Sequence, residues 1–161
     1  MRLALPLIVA LVSACASSSN VAAPTGEAGT SAATYFQQTE FQMATEEGEE
    51  SDPGEDGSKT VEATDCLSIS PAADGAISYS FALHFAYDHM CEMHGEAKLK
   101  SPGVWEDVSQ ENCRLVIDFD GKGWSVSDPD SSCREMWCGA RGNIGQSFST
   151  TSGKALTKCG S

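Results

Sequence analysis

Positive charge is scarce in this sequence: ten Lys and Arg stand against 23 Asp and Glu, for a net charge of −13 at pH 7. Nucleic-acid binding calls for a basic footprint, so no nucleic-acid partner is expected. Long apolar runs are also missing. The stretch from Leu3 to Val12 falls well short of the roughly 20 residues a membrane-spanning helix needs. There is no Cys-x-x-Cys pair, which argues against zinc, and no Gly-x-Ser-x-Gly elbow, which argues against a serine hydrolase. No helical period of any length appears.

What is present begins with an export signal. Arg2, the apolar run LALPLIVALV and the small residues Ser13-Ala14 before Cys15 read as a signal peptide over residues 1–14. Val12-Ser13-Ala14-Cys15 looks like the lipobox of bacterial lipoproteins, in which the cysteine sulfur takes a diacylglycerol and becomes the new N-terminus. The expectation is a protein of the bacterial cell envelope held to a membrane through Cys15, at the outer membrane and facing the periplasm or the surface. Ordinary cleavage nearby is the alternative, and it too exports the chain.

The acidity is uneven. Residues 16–65 hold eleven Asp and Glu against Lys59, giving −10, while residues 66–161 hold twelve acids against eight bases, giving −4; Arg2 supplies the remaining +1. Low hydrophobicity with like charges does not repay the entropy of folding. Residues 15–65 are therefore expected to form a lipidated, disordered tether, with Tyr35, Phe36, Phe41 and Met43 as an incidental apolar patch.

Past Cys66 the pattern becomes strict alternation. Ile77, Tyr79, Phe81, Leu83, Phe85 and Tyr87 interleave with polar or small residues, and Cys91, Met93, Gly95, Ala97 and Leu99 continue on odd numbers. Period two predicts a long hairpin, with Asp88-His89-Met90 as its loop and Tyr87 facing Cys91. Further strands are predicted over residues 103–108, 113–119, 123–127, 146–149 and 155–159, joined by turn residues such as Asp120-Gly121 and Asp128-Pro129. The glycine-rich stretch from Ser131 to Gly145 reads as loop. The expected fold is all-β, with residues 66–161 as a small antiparallel sheet rolled into a barrel-like domain.

Six cysteines remain after processing: Cys66, Cys91, Cys113, Cys133, Cys138 and Cys159. In an exported small domain an even set reads as three disulfides. Six cysteines allow 15 pairings. The preferred set is Cys66 with Cys159, Cys133 with Cys138 as a local clip, and Cys91 with Cys113.

The spacing Cys91-x3-Gly95-x-Ala97, then Cys113-Arg114-Leu115-x-Ile117, then Asp128-x4-Cys133-x4-Cys138-Gly139-Ala140-Arg141-Gly142 followed by Phe148, resembles a cysteine-rich β module of uncharacterised bacterial envelope proteins. Some relatives of that module accompany the LprI-type lysozyme inhibitors. The resemblance covers about residues 77 to 150 and implies a disulfide-bonded periplasmic binding domain, with lysozyme inhibition in some members. This copy has Gly145-Gln146-Ser147 before Phe148 where Asp-Gly is expected, and adds Cys66 and Cys159.

Arg141, flanked by Gly142 and following Gly139, has the shape of an arginine that enters a carboxylate-bearing cleft, since guanidinium pairs bidentately with carboxylate. A lysozyme active site holds two such carboxylates. These three residues are the candidate partner-binding site, for a lysozyme-like protein or a cell-wall glycan. In the register above His84 faces His94 with Glu92 or Glu96 beside them, but no third ligand is evident and neither metal nor cofactor is expected. Asp118, Asp120, Asp128 and Asp130 are scattered carboxylates better read as turn residues than as an acid/base pair or calcium site. Trp105, Trp124 and Trp137 are read as core or rim packing. The chain is expected to be non-catalytic, and the competing reading is a structural or assembly module of the envelope.

Overall fold

The computed structural model describes residues 31–44, 58–87, 89–108, 112–139, 141–155 and 159. The signal peptide, Cys15 and residues 16–30 and 45–57 of the expected tether lie outside them. Among the described residues the chain is almost entirely β, as the alternation demands. Nine antiparallel strands form one sheet in the order β8-β7-β6-β5-β4-β3-β2-β1-β9. They are β1 (Ala33–Ala44), β2 (Ser58–Pro71), β3 (Ile77–Phe85), β4 (His89–Ser101), β5 (Val104–Asp107), β6 (Leu115–Phe119), β7 (Gly123–Ser127), β8 (Gly145–Ser149) and β9 (Lys154–Ala155).

The first two strands correct the reading of residues 15–65 as one tether. β1 lies wholly within that segment, and β2 starts eight residues before Cys66. The two form a continuous ladder from Ala33↔Ile69 to Ala44↔Ser58. The apolar residues Tyr35, Phe41 and Met43 share one face of β1, and Tyr35 is buried in the core. Gln38, Glu40 and Gln42 on the opposite row are exposed, and they diluted the composition and hid the period.

β3 and β4 pair as predicted in face but not in register. Leu83 faces Cys91, His84 faces Met90 and Ser80 faces His94, so the turn lies between Phe85 and His89. The shift of four residues preserves parity, and the odd-numbered residues stay inward. Tyr87 takes the left-handed conformation (φ 62°) that a short hairpin turn requires. β4 then changes partner: His89–Ala97 pairs with β3, and Lys98–Ser101 pairs with β5.

The sheet curls until its outer strands meet. After β8 the chain makes a 3-10 turn, Thr150–Ser152, and returns as β9 against β1, with Ala33 opposite Ala155. The outer edge of β1 is occupied at two further points. The Phe36 amide donates to Ser152 Oγ at 3.1 Å, and the Gln42 carbonyl accepts the Tyr87 amide at 3.0 Å. The result is a nearly closed barrel-like sheet. Its interior is filled by Leu67, Ile69, Ile77, Phe81, Leu83, Met93, Leu115, Ile117, Trp124, Val126 and Phe148, each at most 2% exposed. A close-packed interior of this kind leaves ligands only the ends or the outside.

Besides β1, a second element has no counterpart in the sequence reading. Ser132–Trp137 forms a short helix, α1, in the stretch read as loop. Asp128 holds its start, with Oδ1 accepting from the Ser132 amide at 3.1 Å and Oδ2 from the Arg134 amide at 2.8 Å. Six residues are too few to show a period, and the carboxylate supplies the cap that the helix needs.

All six domain cysteines are disulfide-bonded, and Cys66 pairs with Cys159 as expected. The other two pairings differ: Cys91 bonds Cys138, and Cys113 bonds Cys133. Cys133 and Cys138 sit five residues apart along a helical turn, a rotation of about 140° that aims them at different strands. Cys91 lies on β4 and Cys113 just before β6, two strands separated by β5 and so about 9.5 Å apart, which exceeds the reach of a disulfide.

Candidate functional site

In a meander, alternate connections gather at opposite ends. The β3–β4 turn, the approach to β6 and the α1 region lie at one end, where Cys91–Cys138 and Cys113–Cys133 tie them together. Arg141 emerges there. Its guanidinium carbon lies 5.2 Å from the centroid of the Tyr87 ring, and both residues are exposed. Among the described residues the guanidinium forms no ion pair, so its charge faces outward on an aromatic platform.

The two glycines beside it hold the loop instead of offering contact surface. Gly142 is buried, and a Cβ there would lie 2.4 Å from Cys138 Cβ, so only glycine lets the chain pass the disulfide. Gly139 adopts φ 64°, with open space where a side chain would go. The candidate triplet thus reduces to one presenting residue, Arg141. Tyr87, read only as part of the apolar stripe, is the platform that the sequence reading missed. No sequence signal marked it, because the predicted loop began one residue later, at Asp88, and left Tyr87 in the strand.

The histidine pair comes apart. With His84 opposite Met90 and His94 opposite Ser80, the two imidazoles belong to rows four residues apart, about 13 Å along the strand. His84 instead meets Asp65. Its amide donates to Asp65 Oδ1 at 2.7 Å, and its Nδ1 lies 3.1 Å from the same oxygen. Asp65 is 1% exposed, and its Oδ2 has no hydrogen-bond partner among the described residues. Extending the parity of Ile69 and Leu67 by one step back along β2 places Asp65 inward, a signal masked by the acidic composition before Cys66.

The scattered carboxylates are each committed locally. Asp120 Oδ1 accepts the amides of Lys122 and Gly123, both at 2.8 Å, and these bonds hold its carboxyl below the usual range. Asp128 caps α1 as described. Asp130 pairs with Arg114, which also donates to Glu106 at 2.6 Å; Arg114 and then Lys100 keep the Glu106 carboxyl ionised below its ordinary range. Asp118 lies outward on β6 beside Ser125 and Ser147, in a groove of about 250 Å³. Among the described residues no group of three or more His, Cys, Asp or Glu is placed to hold a metal.

The tryptophans divide. Trp105 is buried, and its Nε1 donates to the Gly75 carbonyl at 2.9 Å. Trp124 is buried against Trp105, Phe119 and Tyr35, with ring centroids 5.5, 4.7 and 6.1 Å away. Trp137 is half-buried against the core.

Fold and bonding define a disulfide-stapled, antiparallel, barrel-like β domain. No protein-family model, curated protein or solved structure matches the chain. Among the described residues no helix is long and apolar enough to cross a membrane.

Proposed function

We propose that this chain is an exported, lipid-anchored envelope protein whose β domain is a non-catalytic binder of a carboxylate-bearing protein, with lysozyme-like enzymes as the leading partner class. The observation that carries the reading is the Arg141 guanidinium, seated over the exposed Tyr87 ring in a loop tied down by Cys91–Cys138. A pre-positioned arginine loses little freedom on binding, and Arg and Tyr are the residue types that dominate interface energies. The resemblance of the Cys-x4-Cys-Gly-Ala-Arg-Gly stretch to envelope modules that accompany lysozyme inhibitors points the same way. Charge supports it too, because a cationic lysozyme is steered toward a chain of net charge −13.

The test is binding and inhibition of c-, g- and i-type lysozymes by the intact chain at low salt. Arg141→Ala is expected to weaken the complex by about tenfold or more, and Tyr87→Ala to weaken it less, with thermal unfolding unchanged. A wild-type chain that neither binds nor slows any of the three sinks the inhibitor reading and favours a structural or assembly module. The anchor is tested separately: Cys15→Ser should move the mature protein from the membrane fraction to the soluble one.

A further inference from the structure

The outer face of β3 and β4 brings together two side chains that the sequence register kept apart. His84 stands directly across from Met90, on the even-numbered row that points away from the packed interior. Residues opposed in this way have Cβ atoms about 4.5–5.5 Å apart, so both side chains can reach one ion held between them. Both are open to solvent: the His84 side chain is 30% exposed and Met90 is 48% exposed. The Met90 thioether is thus presented at the surface beside an imidazole.

Asp65 fixes that imidazole. Its Oδ1 lies 3.1 Å from His84 Nδ1 and accepts the His84 amide at 2.7 Å, and the carboxylate is 1% exposed. A carboxylate oxygen only accepts, so Nδ1 carries the proton of the neutral ring and Nε2 keeps its lone pair. Nδ1 is turned toward Asp65 on β2. Nε2 lies on the opposite edge of the ring, on the side of β3 where β4 and Met90 run. A buried carboxylate that holds one ring nitrogen while the other coordinates is the usual outer shell of a metal-binding histidine.

We propose that His84 Nε2 and the Met90 sulfur form a surface site for a soft monovalent cation, of the class of copper(I) and silver(I). Thioether sulfur selects such ions over calcium and magnesium, and imidazole suits copper as well. Ions of this class accept two donors in a line. Zinc calls for three or more protein donors, and the other histidines are not placed to join: His89 pairs with Phe85 on the opposite row, and His94 lies four residues along β4, across from Ser80. Glu92 follows Met90 on the same exposed row and sets a negative charge beside the ion. Met136 is as exposed as Met90, at 53%, but sits on α1, an element without a histidine.

The test uses silver, which is stable to air, and Met136 as an internal control. The intact chain, isotope-labelled in its methionine methyl groups and imidazoles, is titrated with silver nitrate in chloride-free buffer; the Met90 signal is the one lost in Met90→Leu. Silver should move the Met90 and His84 signals together and saturably while Met136 stays in place. His84→Gln should weaken binding at Met90 by about tenfold or more without changing the unfolding midpoint. Met90→Leu, which nearly conserves volume, should remove the His84 response in the same way. Equal responses of Met90 and Met136, or wild-type affinity in either variant, would reduce Met90 to an ordinary exposed thioether and overturn the proposal. Displacement of bound silver by equimolar zinc would overturn it as well, since the site would then not be selective for soft ions.

Discussion

The Tyr79 hydroxyl donates to Asp107 Oδ2 at 2.7 Å across the face of the sheet, and it passes over β4 at the one residue there without a side chain, Gly95. Tyr79 on β3 and Asp107 on β5 are both buried, and a Cβ at position 95 would lie 2.6 Å from the Asp107 oxygen and 3.0 Å from the Tyr79 oxygen. Glycine at this position lets two strands that do not pair bond to each other through side chains. Tyr79→Phe should therefore destabilise the fold by about 1–3 kcal/mol, since a buried carboxylate loses a donor. Gly95→Ala should cost about 2 kcal/mol by crowding the same bond. Urea unfolding measures both, and a double variant whose loss is the plain sum of the two would show that they do not share one interaction.

The same bond sets a response to alkali. Burial, followed by the bond to and charge of Asp107, pushes the Tyr79 hydroxyl far above the ordinary tyrosine value. The folded chain therefore keeps a proton that the unfolded chain releases once the pH passes about 10. Stability from this group is fully present below that pH and is lost as the pH rises above it. Unfolding free energy measured from pH 8 to 11 should bend downward in the wild type and bend less in Tyr79→Phe. Identical curves would remove Tyr79 as the source.

Connectivity of the disulfides makes a third prediction. Peptide mapping of the unreduced protein should recover fragments joined through Cys91–Cys138, Cys113–Cys133 and Cys66–Cys159, and none joined through Cys133–Cys138. Cys66 and Cys159 are 93 residues apart, so their bond constrains the unfolded chain over most of the domain. Replacing both by Ala should lower stability by roughly 3–4 kcal/mol in urea.

Where the folding unit starts can also be checked. A chain beginning at residue 66 lacks β1 and more than half of β2, which uncovers Leu67, Ile69 and Phe81. It should show no cooperative thermal transition, whereas a chain beginning at residue 31 should melt as the full-length protein does. A sharp transition in the shorter chain would mean that β1 is dispensable.

Much of the sheet was legible because alternation is local. The odd residues from Ile77 to Leu83 and from Cys91 to Ala97 keep one face whatever the register, so the β3–β4 core was readable while the pairing of His84 was not. That pairing depends on where the turn falls, and Tyr87 with its positive φ sets it. β1 was hidden because its outward row of Gln38, Glu40 and Gln42 resembles tether composition. The two misread disulfides follow from α1, a helix too short to leave a period and capped from outside itself by Asp128.

That closure reaches beyond the single molecule. Along its outer edge β1 bonds to β9 at Ala33 and Thr34, to Ser152 at Phe36 and to Tyr87 at Gln42. An open strand edge is a template on which a neighbouring copy can continue the ladder, and crowding many such edges on one surface invites aggregation. Here much of the template along β1 is taken up within the chain itself. A neighbouring copy is left with less of that edge on which to continue the ladder.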